Sequence, residues 1–291
     1  MTTSGDRFAD RFGEAGVRCF ATGPVDPALP EAAALARLGG VVTPQQVGPY
    51  FHTLPDEPVA LREYAGSVGR QLGGAPQAGW ARLGSDRAYE LCVTPEGEVW
   101  AFLLRYDEPL RFVSSTPEAF AEALLQLDLA LDAIGATDDP GRAAAVFESL
   151  EQQLRQADGR AFADRESWWP LVLDDIRDTA GAESFAAFEF TAQDGERKIL
   201  TASGGICVHP EERLWSSLSA SGVQPEQVTR IHTDLEACYL PGHYCSMWLG
   251  LEFPEARLTH SFPYGESAAS RADGLRRMRE APPRAPSRAD P

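Results

Sequence analysis

Short apolar runs separated by turn residues predict β-strands in the middle of the first half of the chain. Residues 88–93 and 98–105 read as two strands on either side of the turn Thr94-Pro95-Glu96-Gly97, and a turn of this composition between β-rich runs favours a hairpin. A further strand is predicted over residues 110–113.

The clearest helix follows these strands. Ser115 is predicted to cap it, Pro117 suits its first turn, and Glu118 completes a Ser-x-x-Glu capping box. Apolar side chains then recur on one face at helical spacing: Phe120, Leu124, Leu127 and Leu131. Two more helices are predicted over residues 143–157 and from Trp168-Trp169-Pro170 to about residue 177.

The second half predicts a different order of elements. Asp194-Gly195 lies between two strand-like runs and is a strong hairpin signal. A helix, a strand, a helix and a last strand follow the hairpin. The predicted ranges are 185–191, 196–201, 209–219, 228–234, 244–251 and 257–262.

A polar stretch around Gly181 separates the two patterns and predicts a domain boundary. The resulting division comprises an N-terminal segment (1–19), a first domain (20–178), a second domain (179–266) and a disordered Arg- and Pro-rich tail (267–291).

Composition agrees with two globular domains. The chain has 291 residues, 43% of them hydrophobic and 24% charged, which is enough for two cores. Its polar start has no signal-peptide pattern, and no stretch approaches the ~20 apolar residues of a membrane span. Five unevenly spaced cysteines do not resemble a disulfide framework. We therefore expect a reduced, cytoplasmic protein without a membrane partner.

Charge is unevenly distributed between the halves. Residues 1–178 carry 28 acidic and 15 basic side chains, a net charge of −13. Because nucleic-acid affinity arises largely from Lys and Arg that neutralise phosphates, this half is expected to bind a protein. The cluster Arg276, Arg277 and Arg279 is the candidate phosphate patch; a solvated tail is the alternative interpretation.

Potential metal ligands concentrate in the second half. Three of the five cysteines and four of the five histidines lie between residues 207 and 260. His209-Pro210-Glu211 starts a predicted helix, and Cys238 and Cys245 flank the start of the next. Zinc prefers such N and S donors, and a catalytic zinc leaves one position open for water. A neighbouring carboxylate that is not a ligand can move protons.

These residues and the order of their elements resemble the cytidine deaminase-like superfamily over residues 183–266. The resemblance implies an α/β three-layer fold, Zn²⁺ bound by His209, Cys238 and Cys245, and Glu211 as the proton shuttle. Two positions depart from the usual Pro-Cys-x-x-Cys pattern, since Ala237 replaces the proline and six residues separate the cysteines. Residues 231–238 resemble bacterial toxin-type deaminases, in which this loop varies.

Each candidate also has an ordinary structural interpretation. Cys238 and Cys245 are of a residue type common in apolar cores. His243 offers a further ligand, which would close the site with His209 and abolish catalysis. The remaining candidates are expected to be core or hydrogen-bonded residues: Cys207, His232, His260, Phe262 and Tyr264. Phe262 and Tyr264 would also suit stacking on a base.

The first half resembles the SUKH superfamily, specifically its fourth immunity-protein family. The resemblance is carried by four stretches: Gly48-Pro49-Tyr50-Phe51 after Leu38-Gly39-Gly40, residues 99–104, the run from Phe112 to Phe120, and Trp168-Trp169. It implies an α+β fold that binds a toxin protein in a bacterial toxin–immunity system.

Together these observations lead to one hypothesis and two alternatives. The hypothesis is a zinc-dependent deaminase of a nucleobase, in a nucleotide or single-stranded nucleic acid, fused to a SUKH-type immunity module of a polymorphic toxin system. The first alternative is a non-catalytic immunity or interaction protein with a degenerate or structural zinc domain. The second is a housekeeping deaminase of free nucleotides. The sequence does not distinguish cytosine from adenine as the substrate base.

Overall fold

The computed structural model describes residues 4–21, 23–181 and 183–281. It divides the chain into two compact units. The first unit comprises the described residues up to Arg177 together with Leu240–His243, and the second comprises Asp178–Tyr239 and the described residues from Tyr244 onward. Among the described residues, no helix has the length and apolar character needed to cross a membrane.

The first unit is built on antiparallel sheets. Strands β1 and β2 pair with each other, and β3 to β8 form a six-stranded sheet in chain order. The strands are β1 (Val17–Cys19), β2 (Val42–Pro44), β3 (Gln46–Val47), β4 (Phe51–His52), β5 (Ala81–Ser85), β6 (Glu90–Val93), β7 (Val99–Phe102) and β8 (Arg111–Ser114). The helices are α1 (Ser4–Phe12), α2 (Ala32–Leu38), α3 (Leu61–Ser67), α4 (Pro117–Gly135), α5 (Pro140–Ala157) and α6 (Trp168–Gly181).

Helix α4 carries the centre of this core. Its Phe120 is fully buried and packs edge-on against Phe51 at 5.6 Å and Trp168 at 5.9 Å between ring centroids. Such aromatic pairs add to the free energy gained by burial. The predicted apolar face of this helix therefore joins the sheet to α6.

The cap of α4 differs from the prediction by one residue. Thr116 is the N-cap residue, and its hydroxyl accepts from the Ala119 N–H at 3.1 Å. Ser115 instead donates its hydroxyl to Asp158 at 2.9 Å, and its backbone N–H donates to the same carboxylate at 2.6 Å. The distant carboxylate engages Ser115, so the capping role falls to the next hydroxyl.

A buried ion cluster lies within the first unit. Arg82 is 1% exposed and contacts Glu90 at 2.6 Å and Glu57 at 2.7 Å. Its guanidinium also lies 3.8 Å from the centroid of the Tyr64 ring. Removing one partner of such a group leaves an uncompensated buried charge.

The second unit has a mixed four-stranded sheet in the order β10-β9-β11-β12, with β11 and β12 parallel and the other pairs antiparallel. Its strands are β9 (Phe185–Thr191), β10 (Arg197–Ser203), β11 (Val228–Leu235) and β12 (Arg257–Phe262). Its helices are α7 (Pro210–Ala220), α8 (Cys245–Glu252) and α9 (Ala268–Glu280). Helix α7 packs on β9 and β10, and α9 packs on β11 and β12. The α+β and α/β classes predicted for the two halves are confirmed.

Two expectations about the chain ends differ from the structure. Residues 4–19 are not a separate segment, since they form α1 and β1 within the first unit. The expected disordered tail contains helix α9, which Ser267 and Ser270 cap reciprocally and which buries Leu275. The capping box and the buried leucine stabilise a helix in this segment despite its Arg-rich composition. Residues 282–291 of the expected tail lie outside the described residues.

Candidate metal centre

His209 and Glu211 lie at the start of helix α7. Pro210 occupies the first turn, where its missing N–H removes no hydrogen bond, and His209 is the N-cap residue with extended backbone (φ −77°, ψ 141°). Acidic side chains are favoured at this positive end of a helix. Both side chains are buried, with 8% of His209 and 4% of Glu211 exposed. The helix start thus presents an imidazole and a carboxylate inside the second unit.

The two cysteines lie on either side of a loop formed by residues 239–244. Cys238 follows strand β11, and Cys245 is the first residue of helix α8. The Ser246 N–H donates to the carbonyl oxygen of Cys238 at 3.0 Å. This bond holds the ends of the 239–244 loop side by side, so two cysteines with six residues between them come close together.

The three predicted ligands converge. His209 Nδ1 lies 3.2 Å from Cys245 Sγ and 3.5 Å from Cys238 Sγ. The ligand atoms of all three residues lie within 4.8 Å of one another, and all three residues are buried. Tetrahedral zinc with ordinary Zn–N and Zn–S bond lengths separates its N and S ligands by about 3.5 Å. The donor types and their spacing therefore fit zinc.

The carboxylate of Glu211 is close to this cluster. Its Oε1 lies 3.9 Å from His209 Nδ1. Burial raises the pKa of Glu211, and the nearby Cys238 raises it further while His209 opposes the shift. Burial likewise raises the pKa of the Cys245 thiol well above its ordinary value, and Cys238 adds to the effect. Buried acidic groups of this kind are stabilised in their ionised form by a bound cation.

His243 is the candidate fourth ligand of the sequence analysis. It belongs to the first unit, where its Nε2 lies 3.2 Å from Asp175 Oδ2. Both side chains are almost completely buried. The imidazole that was a candidate fourth ligand thus faces a carboxylate of the first unit.

The other candidates serve as hydrogen-bonding residues. His232 contacts the hydroxyls of Thr259 at 3.0 Å and Ser261 at 3.1 Å. Tyr264 is buried, and its hydroxyl donates to Asp178 at 2.5 Å, so its ring does not suit stacking on a base.

Three further candidates lie on the same unit. The Cys207 N–H donates to the Thr179 hydroxyl at 3.0 Å. His260 is exposed on β12, and Phe262 is half-buried at the end of that strand.

The basic cluster on α9 is largely neutralised. Arg276 contacts both Asp273 and Glu280, the latter at 3.0 Å, and Arg277 contacts Asp273 at 2.7 Å. Ion pairs within the helix reduce the positive charge available to a phosphate, so α9 is a weak candidate for nucleic-acid binding.

Sequence reasoning missed Tyr244. This residue is buried and has left-handed backbone (φ 47°, ψ 45°) directly before Cys245, a conformation that non-glycine residues rarely adopt. It reverses the chain so that Cys245 can begin α8. The only sequence signal was the proline-glycine pair shortly before it, which predicted a break without locating the left-handed residue.

Comparison with known families assigns both halves of the chain. Residues 5–175, more than half of the sequence, match the SUKH-4 immunity protein family. The chain belongs to this family. Residues 181–281 match a second family, described as Xanthomonas-like deaminase, so a SUKH-4 domain is followed by a deaminase-family domain. Both resemblances predicted from the sequence are confirmed. No curated protein and no solved structure matches this SUKH-4 protein.

Proposed function

We propose that the deaminase-family domain is a zinc-dependent hydrolytic deaminase of a nucleobase. The observation that carries the proposal is the convergence of His209, Cys238 and Cys245 beside the Glu211 carboxylate. Two thiols and one imidazole give three ligands, which is the number that leaves a position open on a catalytic zinc.

The protein's own groups have distinct roles in this proposal. His209, Cys238 and Cys245 would hold the metal, and bound zinc supplies a Lewis acid that makes a water molecule more acidic. Glu211 accepts a proton from the attacking water and returns protons to the ring nitrogen and to the departing ammonia. The overall reaction consumes one water and replaces an exocyclic amine by a carbonyl.

The position of Glu211 suits this role, because its buried carboxylate lies 3.9 Å from His209 Nδ1. The exposed carboxylate of Glu226, in the same unit, has no such position and offers a matched control.

We propose a nucleotide or single-stranded nucleic acid as substrate. The cluster is buried, and a base must leave a duplex stack before it can reach such a site. Residues 179–265 carry 11 acidic and 5 basic side chains, which disfavours strong binding to a long polyanion. Small or unpaired substrates are therefore favoured over duplex DNA.

The test compares the full-length protein with Glu211→Gln and Glu226→Gln. Zinc content and ammonia release are measured on a panel of nucleosides, nucleotides and single-stranded oligonucleotides. We expect zinc in all three proteins, and a loss of ammonia release of about 100-fold or more in Glu211→Gln alone. Protein without zinc would refute the proposal. Zinc in all three with ammonia from none would support the alternative, a non-catalytic interaction protein.

We further propose that the SUKH-4 domain binds a protein of a bacterial polymorphic toxin system in the cytoplasm. Membership of an immunity protein family supports a protein partner. The net charge of −13 over residues 1–178 favours a basic one. All five cysteines are free thiols, which a reducing compartment favours.

A further inference from the structure

Strand β10 lies at one edge of the four-stranded sheet of the second unit. It has seven residues, Arg197–Ser203, and among the residues that the structure describes it pairs with β9 alone. The first five of these residues are exposed. An edge strand offers its backbone N–H and C=O groups to a further strand. β10 therefore presents an exposed backbone edge that is long enough for strand pairing.

Both faces of this strand carry an exposed apolar side chain. Leu200 pairs in register with Phe188, which is buried and packs edge-on against Phe253 at 5.6 Å between ring centroids. Leu200 thus lies on the core face of the sheet, and Ile199 lies on the opposite face because successive side chains of a strand alternate. Both side chains are largely uncovered, and contiguous exposed apolar surface often marks an interaction site.

A cavity of about 360 Å³ opens beside this strand, on the core face. Its larger apolar lining residues are Phe190, Leu200, Leu218 and Val223. A cavity in this size range suits a small ligand or a side chain. Leu218 lies nine residues after His209, the N-cap residue of α7, so the cavity is about 14 Å along the helix from the candidate metal centre.

The charged residues of β10 are both basic. They are Arg197 and Lys198, and they point to opposite faces of the sheet. Arg197 lies 3.6 Å from Glu189, and Lys198 lies 3.3 Å from Asp194 and 3.8 Å from Glu196. Both basic side chains are exposed, and exposed ion pairs contribute little to stability. Both cations are therefore available to opposite charges on a pairing strand.

We propose that β10 is a docking site for an extended segment of a partner protein that carries acidic and apolar residues. The segment pairs with the backbone of β10, places an apolar side chain in the cavity beside Leu200 and brings acidic residues opposite Arg197 and Lys198. In this mode of recognition, main-chain hydrogen bonds supply affinity and pockets for alternate side chains supply specificity. A second copy of the chain is a poorer occupant, since it brings the same two cations.

The test measures binding of two labelled synthetic peptides to the full-length protein by fluorescence polarisation. The first peptide, Thr-Val-Thr-Leu-Val-Glu-Glu with blocked ends, is designed to run antiparallel to β10, with its leucine opposite Leu200 and its glutamates opposite Lys198 and Arg197. The second peptide has lysines in place of both glutamates. The variants are Leu200→Glu, Lys198→Glu and the control Leu258→Glu. Leu258 is also half-exposed and lies on β12, the other edge strand of the sheet.

We expect wild type to bind the glutamate peptide about 5-fold or more tightly than the lysine peptide, and Lys198→Glu to reverse this preference. Leu200→Glu should weaken binding of the glutamate peptide about 10-fold or more, whereas Leu258→Glu should match wild type. Hydrogen exchange of the β10 amides should slow in the complex. Circular dichroism verifies that each variant is folded.

The proposal is wrong if wild type binds neither peptide at millimolar concentration, if it binds both equally, or if the bound peptide protects amides outside β10. Self-association of wild type that Leu200→Glu abolishes would show instead that a second copy occupies this edge. Zinc content and ammonia release test the proposed function separately, so the failure of one proposal is distinguishable from the failure of the other.

Discussion

Replacing Gly242 with alanine is expected to destabilise the protein more than the same replacement at Gly195. The two positions have the same backbone angle, φ 82°, so both variants place a Cβ in left-handed backbone at a cost of about 1–2 kcal/mol. At Gly195, in the hairpin between β9 and β10, no described atom lies within 4 Å of the added carbon. The conformational cost is therefore shared and the steric cost is not.

The steric cost at Gly242 follows from its contacts. The added carbon would lie 2.9 Å from the Pro49 oxygen and 3.0 Å from both the Pro49 carbonyl carbon and the Tyr50 ring. Backbone atoms cannot move aside as the end of a flexible side chain can. Overpacking of this kind costs about 1–3 kcal/mol. We therefore expect Gly242→Ala to lose about 1–3 kcal/mol more than Gly195→Ala.

Urea unfolding followed by hydrogen–deuterium exchange, analysed peptide by peptide, measures the loss in each unit. Because the two units can unfold in different transitions, exchange is used to measure the stability of each unit separately. Gly242→Ala should destabilise the first unit, and Gly195→Ala should affect only the hairpin of the second. Equal losses of unfolding free energy in the two variants would contradict the close packing of Gly242 on Pro49.

Two further predictions concern charge. Hydrogen bonds from Arg82 and the Leu54 N–H outweigh burial and lower the pKa of Glu57. A carboxyl with a lowered folded pKa adds stability that is lost as the pH falls below about 4.3 through the folded value. In this acidic range the free energy of unfolding, measured with urea, should therefore fall more for wild type than for Glu57→Gln. The control Glu63→Gln, at an exposed position, should follow wild type. The same dependence on pH in all three proteins would contradict the ion cluster. Binding of a basic toxin domain to the SUKH-4 domain should weaken as the salt concentration rises from about 0.05 to about 0.5 M. If calorimetry gives an affinity that does not depend on salt, the acidic surface is not the binding surface.

Local patterns predicted most of the elements. The period of apolar residues from Phe120 to Leu131 identified α4, and Asp194-Gly195 identified the hairpin between β9 and β10. The errors arose where a distant residue decides. Ser115 and Thr116 both carry a hydroxyl that can cap α4; Thr116 takes this role, while Ser115 donates to Asp158, more than 40 residues away.

The candidate site also combines local motifs, which the sequence predicts, with a long-range contact, which it does not. The residue types and order of His209, Glu211 and the two cysteines were readable from the sequence, because they depend on local motifs. The path of the loop between the cysteines was not, because His243 contacts Asp175, a residue 68 positions earlier. No pattern within the loop reports a partner so far away along the chain. The helix after Ser267 does not follow from the arginine- and proline-rich composition of its segment, because a local capping box forms there.

The order of strands in the second unit places β10 at an edge of the sheet. Among the described residues β10 pairs with β9 alone, so one side of its backbone is available for strand pairing. Ile199 and Leu200 on this edge strand are 62% and 49% exposed, a combination that promotes edge-to-edge aggregation. Arg197 and Lys198 precede them, and charged side chains on an edge strand oppose the approach of a second one. The single lysine of the sequence therefore lies on this edge strand, where it forms ion pairs with Asp194 at 3.3 Å and Glu196 at 3.8 Å.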